Sequence, residues 1–216
     1  MAKYPFTCAL VTGASSGIGH EMAVQLATSG VHVIAVARRG DRLEQLAAQF
    51  KSVEVLVADL TTVDGLARVE ARIADTSAKP IDLVVNNAGF GSSGLMHEID
   101  ADRLSREIQL NVGALTRLSH AAICAMVPRG RGYLLNVSSV ASFQASPRLA
   151  VYSATKAYVT SLTEALHEEM RGTGVRVTAL CPGLVRTEFQ SISSTEQYSR
   201  DFPSFSWLDV TDVARA

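Results

Sequence analysis

Short runs of Val, Leu, Ile and Ala alternate along the chain with longer stretches in which apolar residues return every three or four positions. The short runs predict strands over 8–12, 32–37, 53–58, 83–86, 133–137 and 175–180, most of them apolar at successive positions as buried parallel strands are. The stretches between them predict helices over 19–29, 42–50, 64–75, 102–126 and 152–171. Asp100 or Asp102 is placed to cap the fourth helix, and Gly172 and Gly174 to end the last. Strands alternating with helices in this way build an α/β domain, a mostly parallel sheet covered on both faces. No linker, repeat or low-complexity tract divides the chain, so 1–216 is read as one domain.

Composition narrows the class without naming a chemistry. The chain is 47% hydrophobic and 19% charged, which is globular rather than disordered or fibrous. With 20 basic against 21 acidic residues and no block of either sign, it carries no electrostatic footprint for nucleic acid or an anionic membrane. No window approaches the roughly 18 continuous apolar residues of a bilayer-crossing segment, and Met1 to Phe6 do not resemble an export signal. Cys8, Cys124 and Cys181 lie far apart without C-x-x-C spacing, so free thiols and a cytoplasmic setting are expected. His20, His32, His97, His120 and His167 show no metal-ligand spacing, and no metal is expected.

Candidate chemistry begins directly after the first predicted strand. In Thr12-Gly13-Ala14-Ser15-Ser16-Gly17-Ile18-Gly19 the glycines let backbone N–H groups approach a pyrophosphate where a helix opens. The spacing is not that of an ATPase phosphate loop, which needs a Lys where His20 stands. A second pattern, Tyr152 and Lys156, places a phenol and an ammonium four residues apart on one helix face. A cation there favours the phenolate, tuning Tyr152 for proton transfer to a carbonyl oxygen or from an alcohol. Ser139, at the end of the fifth strand, is placed to hold the same substrate oxygen.

Together these segments resemble the short-chain dehydrogenase/reductase family across nearly the whole chain. The glycine turn, Asn86-Asn87-Ala88-Gly89 after the fourth strand, Asn111, Ser139 thirteen residues before Tyr152, Lys156, and Pro182-Gly183 all fall in the family's order. The resemblance implies a Rossmann-like, doubly wound, mostly parallel sheet of six strands in the order 3-2-1-4-5-6. It implies that Ser139, Tyr152 and Lys156 form a catalytic triad that Asn111 extends to a tetrad through an ordered water, with Ser138 the weaker candidate for the serine. It also implies a cofactor site. Gly13, Ser15, Ser16, Gly17, Ile18 and Gly19 would meet the phosphates, Asp59 and Leu60 the adenine, and Asn86, Asn87, Ala88 and Gly89 the ribose. Pro182, Gly183, Val185 and Thr187 would lie toward the nicotinamide.

The second predicted strand ends at Ala37, where a NAD-selective turn would carry a carboxylate, and Arg38 and Arg39 follow. A guanidinium suits a 2′-phosphate, so NADP is expected with Arg38 the main selector, while Asp41 keeps NAD open. The resemblance also implies a substrate lid over about 188–207, where Phe189, Tyr198, Phe202, Phe205 and Trp207 would line a pocket for a small, apolar carbonyl or alcohol compound or anchor the lid to the core. The family further implies a homodimer or homotetramer and a seventh strand, which is expected to be missing from 1–216, with one sheet edge then unpaired. Two other readings stand beside this one: a catalytically silent NADP-binding sensor or scaffold, and a different reaction, such as epimerisation, on the same cofactor.

Overall fold

A computed structural model describes residues 4–195 and 202–216. Six parallel strands form one sheet: β1 Cys8–Thr12, β2 His32–Ala37, β3 Val53–Val57, β4 Leu83–Asn86, β5 Gly132–Val137 and β6 Val175–Leu180. Their order is β3-β2-β1-β4-β5-β6, as the family resemblance implies. Side chains alternate across the pleat, so Cys8 and Leu10 enter one core while Ala9 and Val11 enter the other. That two-sided burial is why the strands read as unbroken apolar runs rather than as alternating ones.

On the second of these faces lie α1 Gly17–Thr28 and α2 Gly40–Gln49, which bury Met22, Leu26, Leu43 and Leu46 against Val33 and Val85. On the first face lie α3 Val63–Ala74 and α5 Leu115–Met126, which bury Leu66, Val69, Leu118 and Met126 against Leu10, Ile34 and Val84. The α6 helix, Ala150–Glu169, begins two residues earlier than its pattern predicts and packs Leu166 on the same side.

The predicted helix over 102–126 is not uniform. It comprises α4 Ala101–Ile108, a wider π-turn over Gln109–Ala114, and α5. Asp100, rather than Asp102, caps it by accepting from the N–H groups of Asp102 at 3.3 Å and Arg103 at 3.2 Å. The continuous helical run Ala101–Arg129 has the length and apolar content to cross a bilayer, but Leu104, Leu115, Leu118, Ala122 and Met126 are buried inside the domain. The three cysteines are free thiols.

Past β6 the chain makes a two-residue strand β7, Leu184–Val185, and a short helix α7, Phe189–Ile192. A second short strand, β8 Trp207–Leu208, pairs parallel with β7, and α8 Val210–Arg215 then docks on α1, where Gln25 donates to the Thr211 carbonyl at 3.0 Å. Elements of two residues lie below the resolution of any periodicity, and the sequence pattern shows neither β7 nor β8. The strand order reverses between β1 and β4, which opens a crevice at the carboxyl ends of the strands.

Candidate active site

The crevice holds a cleft of about 750 Å³, and the glycine turn supplies one wall through Gly13, Ser15, Ser16, Gly17 and Ile18. Gly13 and Gly17 adopt φ of +70° and +56°, the left-handed region in which a side chain would be strained. Ser16 is the N-cap of α1 but makes no capping bond with its side chain, so the first-turn N–H groups keep their positive end for an anion. Thr12 laces this turn to the loop after β4: its hydroxyl accepts from the N–H groups of Asn87 at 2.9 Å and Ala88 at 3.0 Å. Asn87, Ala88 and Gly89 therefore line the cleft.

Gly19 and Asn86 do not themselves line the cleft. Gly19 is buried in the first turn of α1, where a Cβ would strike the Asn87 side chain, so its lack of a side chain admits Asn87. Asn86 points into the sheet, donating to Ser119 at 3.1 Å and to Asn136 at 3.0 Å in a buried network that Asn136 continues to Thr163. Successive residues at a strand end face opposite ways, so only Asn87 of the pair reaches the cleft.

Asp59 and Leu60 lie on the adjoining wall with Arg38 and Arg39. The side chain of Arg38 is 71% exposed and makes only a long 3.9 Å pairing with Asp59. Arg39 is held much more firmly. Its guanidinium donates to the Ser15 hydroxyl at 3.0 and 3.1 Å, to the Ser16 hydroxyl at 2.7 Å and to Glu188 at 2.8 Å.

Opposite the glycine turn, the end of β5 and the start of α6 bring together Ser139, Tyr152 and Lys156. The neighbouring serines separate cleanly. Ser138 is sequestered, donating to the Lys156 carbonyl at 2.9 Å and bonded to the Thr160 hydroxyl at 2.7 Å. Ser139 faces the cleft, and its hydroxyl interacts with that of Tyr152. Burial pushes the Tyr152 phenol up to about 12, with the Ser139 hydroxyl pulling the other way. The expected lowering by Lys156 is not the dominant effect: the ammonium lies 5.7 Å from the Tyr152 ring centroid and donates instead to the Val137 carbonyl at 2.8 Å. Burial also brings the Lys156 amine down to about 8, against its nominal 10.5.

Asn111 sits in the π-turn, a distortion often found at functional positions. Its amide accepts from the Phe90 N–H at 3.2 Å and donates to the Phe90 carbonyl at 2.8 Å and the Thr155 hydroxyl at 3.1 Å. It thus clamps the loop after β4 to α6 from behind, and does not itself line the cleft. A Cβ on Gly89 would lie 2.9 Å from the Asn111 oxygen and 3.8 Å from the Lys156 nitrogen, so both groups border the space that this glycine leaves open.

Pro182, Gly183, Val185 and Thr187 close the far side, and Thr187 packs against the start of α1 at Gly17. Beyond them the Phe189 ring stands 5.4 Å from that of Tyr152, and Phe202 and Trp207 add to the same wall. Phe205 projects into solvent at 86% exposure, so it does not serve the pocket. Tyr198 lies outside the described residues.

Three residues here carry no sequence signal that distinguishes them. Ser193 accepts from the Gly91 N–H at 2.9 Å and pins α7 over the site. Glu107, one turn before Asn111, is fully buried, with the Ser92 hydroxyl beside its carboxyl. Glu188 joins Arg39 and Arg42, which a carboxylate just past the Thr187 position does not announce. Among the described residues no cluster of His, Cys, Asp and Glu is suited to a metal.

Comparison with known proteins agrees with this geometry. The family model described as short chain dehydrogenase matches residues 7–197. An uncharacterized oxidoreductase of Myxococcus xanthus is 40% identical over 200 residues, covering 90% of this chain and 78% of its own. A short-chain dehydrogenase from Sphingobium yanoikuyae, solved in complex with NADPH, is 35% identical with a TM-score of 0.90, over 98% of this chain and 82% of its own. The bulky-bulky ketone specific alcohol dehydrogenase from Comamonas testosteroni is 32% identical with a TM-score of 0.84, over 99% of this chain and 81% of its own.

Proposed function

The chain belongs to the short-chain dehydrogenase family, and from that premise we propose that it is an NADP-dependent oxidoreductase interconverting an uncharged carbonyl compound and its alcohol, with Tyr152 as the proton-transfer residue. The observation that carries the reading is the convergence of Ser139, Tyr152 and Lys156 on the wall facing a glycine turn whose helix start is uncapped. The cleft fits a dinucleotide: anion-receiving N–H groups lie at one end, Asp59 and Leu60 at the adenine side, and Val185 and Thr187 toward the reacting side. The bound coenzyme supplies or accepts the hydride.

The protein's part is orientation and proton transfer. Ser139 donates to the substrate oxygen and holds it beside Tyr152. In the reducing direction Tyr152 gives its phenolic proton to that oxygen and is left as phenolate; in the oxidising direction the phenolate takes the alcohol proton back. Lys156 stabilises the phenolate by charge, and the Asn111 clamp keeps α6 and the loop after β4 in register. The aromatic wall of Phe189, Phe202 and Trp207 favours a bulky apolar substrate and excludes water.

NADP is favoured over NAD because β2 ends at Ala37 without a carboxylate and because Arg38 leaves its guanidinium open to a 2′-phosphate. The similar Sphingobium protein, solved with NADPH, supports the same choice. The test is to follow NADPH and NADH oxidation against a panel of bulky ketones, aldehydes and quinones. Carbonyl-dependent oxidation of NADPH is the expected result. NADPH binding without turnover of any carbonyl would instead favour the silent sensor.

A further inference from the structure

Around the mouth of the coenzyme cleft the charges form a chain. Arg39 and Arg42 each bind one oxygen of the same Glu188 carboxylate, at 2.8 and 2.6 Å. Arg39 also holds both serine hydroxyls of the glycine turn, and Arg42 reaches the Ser15 carbonyl at 3.4 Å. Glu188 follows Thr187 and opens the segment carrying α7, so one side chain ties that segment to the adenosine end of the cleft. Its carboxyl is held below the usual carboxylate range by the two guanidinium bonds, Arg39 first, so it stays ionised across the neutral range.

Two forked guanidinium groups converging on two oxygens of one anion is the arrangement that a phosphate also satisfies. Arg39 stands two residues past the end of β2, where a coenzyme 2′-phosphate is read. Three cations, Arg38, Arg39 and Arg42, and two anions, Asp59 and Glu188, leave this mouth with a net charge of one positive.

We propose that Glu188 is a coenzyme-specificity residue: its carboxylate occupies Arg39 and Arg42 as an internal competitor of the 2′-phosphate, and so limits the preference for NADP over NAD. The inference rests on reading the cleft as a nicotinamide dinucleotide site. Removing the carboxylate charge raises the mouth by one positive unit and releases two guanidinium groups, an effect that a 2′-hydroxyl hardly senses.

The decisive measurement is the equilibrium binding of NADPH and NADH, by quenching of protein fluorescence, to the wild-type chain and to Glu188→Gln. The amide keeps the size of the side chain, and Glu188 is partly exposed, so folding is not at stake. The expected result is NADPH bound about 5- to 20-fold more tightly, NADH within about twofold, and a difference that shrinks as salt is raised and screens the mouth. In an Arg39→Met, Arg42→Met background the same substitution should move NADPH affinity by less than about twofold, which a merely structural role would not require.

Unchanged affinity for both coenzymes overturns the inference. So does equal weakening of both, which would make Glu188 a strap closing over the whole dinucleotide. Persistence of the NADPH effect without the two arginines overturns it as well. If the wild-type chain binds neither coenzyme, the functional reading itself fails, a result distinct from the others because it appears before any substitution is made.

Discussion

Lys156 donates from its buried ammonium to the carbonyl oxygen of Val137 at 2.8 Å, two residues before Ser139 on the same strand end. That bond fixes the cation under the Tyr152 ring but only partly offsets the loss of water, and the amine falls to about 8. A group whose protonated form is disfavoured in the folded chain lowers stability below its folded pKa, and the penalty fades as pH rises from about 8 toward the ordinary lysine value. Lys156→Met should therefore raise Tm more at pH 7 than at pH 10 while abolishing turnover. Thermal unfolding at the two pH values checks it; an equal shift at both would show that the ammonium is not strained.

Tyr152→Phe removes one oxygen from a ring that packs 5.4 Å from Phe189, and leaves the glycine turn untouched. Coenzyme affinity should stay within about twofold while turnover falls by at least the 10²- to 10⁴-fold typical of a lost proton-transfer group. Retained turnover with a ketone would remove Tyr152 from its assigned role.

Ser138 and Ser139 supply an internal control, since they are adjacent yet face opposite ways. Ser139→Ala should lower turnover on the order of 10²-fold and cost about 1 kcal/mol of stability, because its hydroxyl bonds that of Tyr152 and also caps the 140–143 turn by accepting from the Ala141 N–H at 3.1 Å. Ser138→Ala leaves the Thr160 hydroxyl and the Lys156 carbonyl without their buried partner, and should destabilise by about 1–3 kcal/mol. Denaturant unfolding and steady-state kinetics on both variants separate the two roles; reversed effects would reverse the assignment.

Legibility in the sequence followed the range of the signal. The six strands and their helices were readable because burial on both faces leaves apolar runs, and the glycine turn because positive φ at Gly13 and Gly17 demands its residues. Ser139, Tyr152 and Lys156 were implied by the family resemblance, and the structure brings them to one cleft. What escaped depends on side-chain direction or distant pairing. Asn86 and Asn87 look alike in sequence, and only the strand's pleat sends one into the core. Arg38 and Arg39 look alike in sequence, and only the pairing with Glu188, nearly 150 residues away, shows that Arg39 is tied down while Arg38 stays open. The π-turn at Asn111 hides within a continuous helical pattern, and β7 and β8 are too short for any period.

Glu107 provides a prediction in which the sign can be worked through. Its carboxyl is fully buried, and burial pushes it above the ordinary carboxylate range, with the Ser92 hydroxyl and the charges of Arg103 and Lys156 pulling the other way. Its charge in turn acts on Tyr152 and Lys156 across the α4–α6 contact, raising both. A carboxyl raised in the folded state favours folding below its unfolded value near 4.5, and that advantage is lost as pH climbs through the folded value. Glu107→Gln should therefore stabilise the protein at pH 7 more than at pH 4.5. In kinetics it should match the wild type at the acid end, where Glu107 is neutral, and diverge as pH rises, because loss of the Glu107 charge lets Lys156 lose its proton at lower pH. A ratio of wild-type to variant rate that stays constant from pH 5 to 9 would mean that the buried carboxyl does not communicate with the proton-transfer pair.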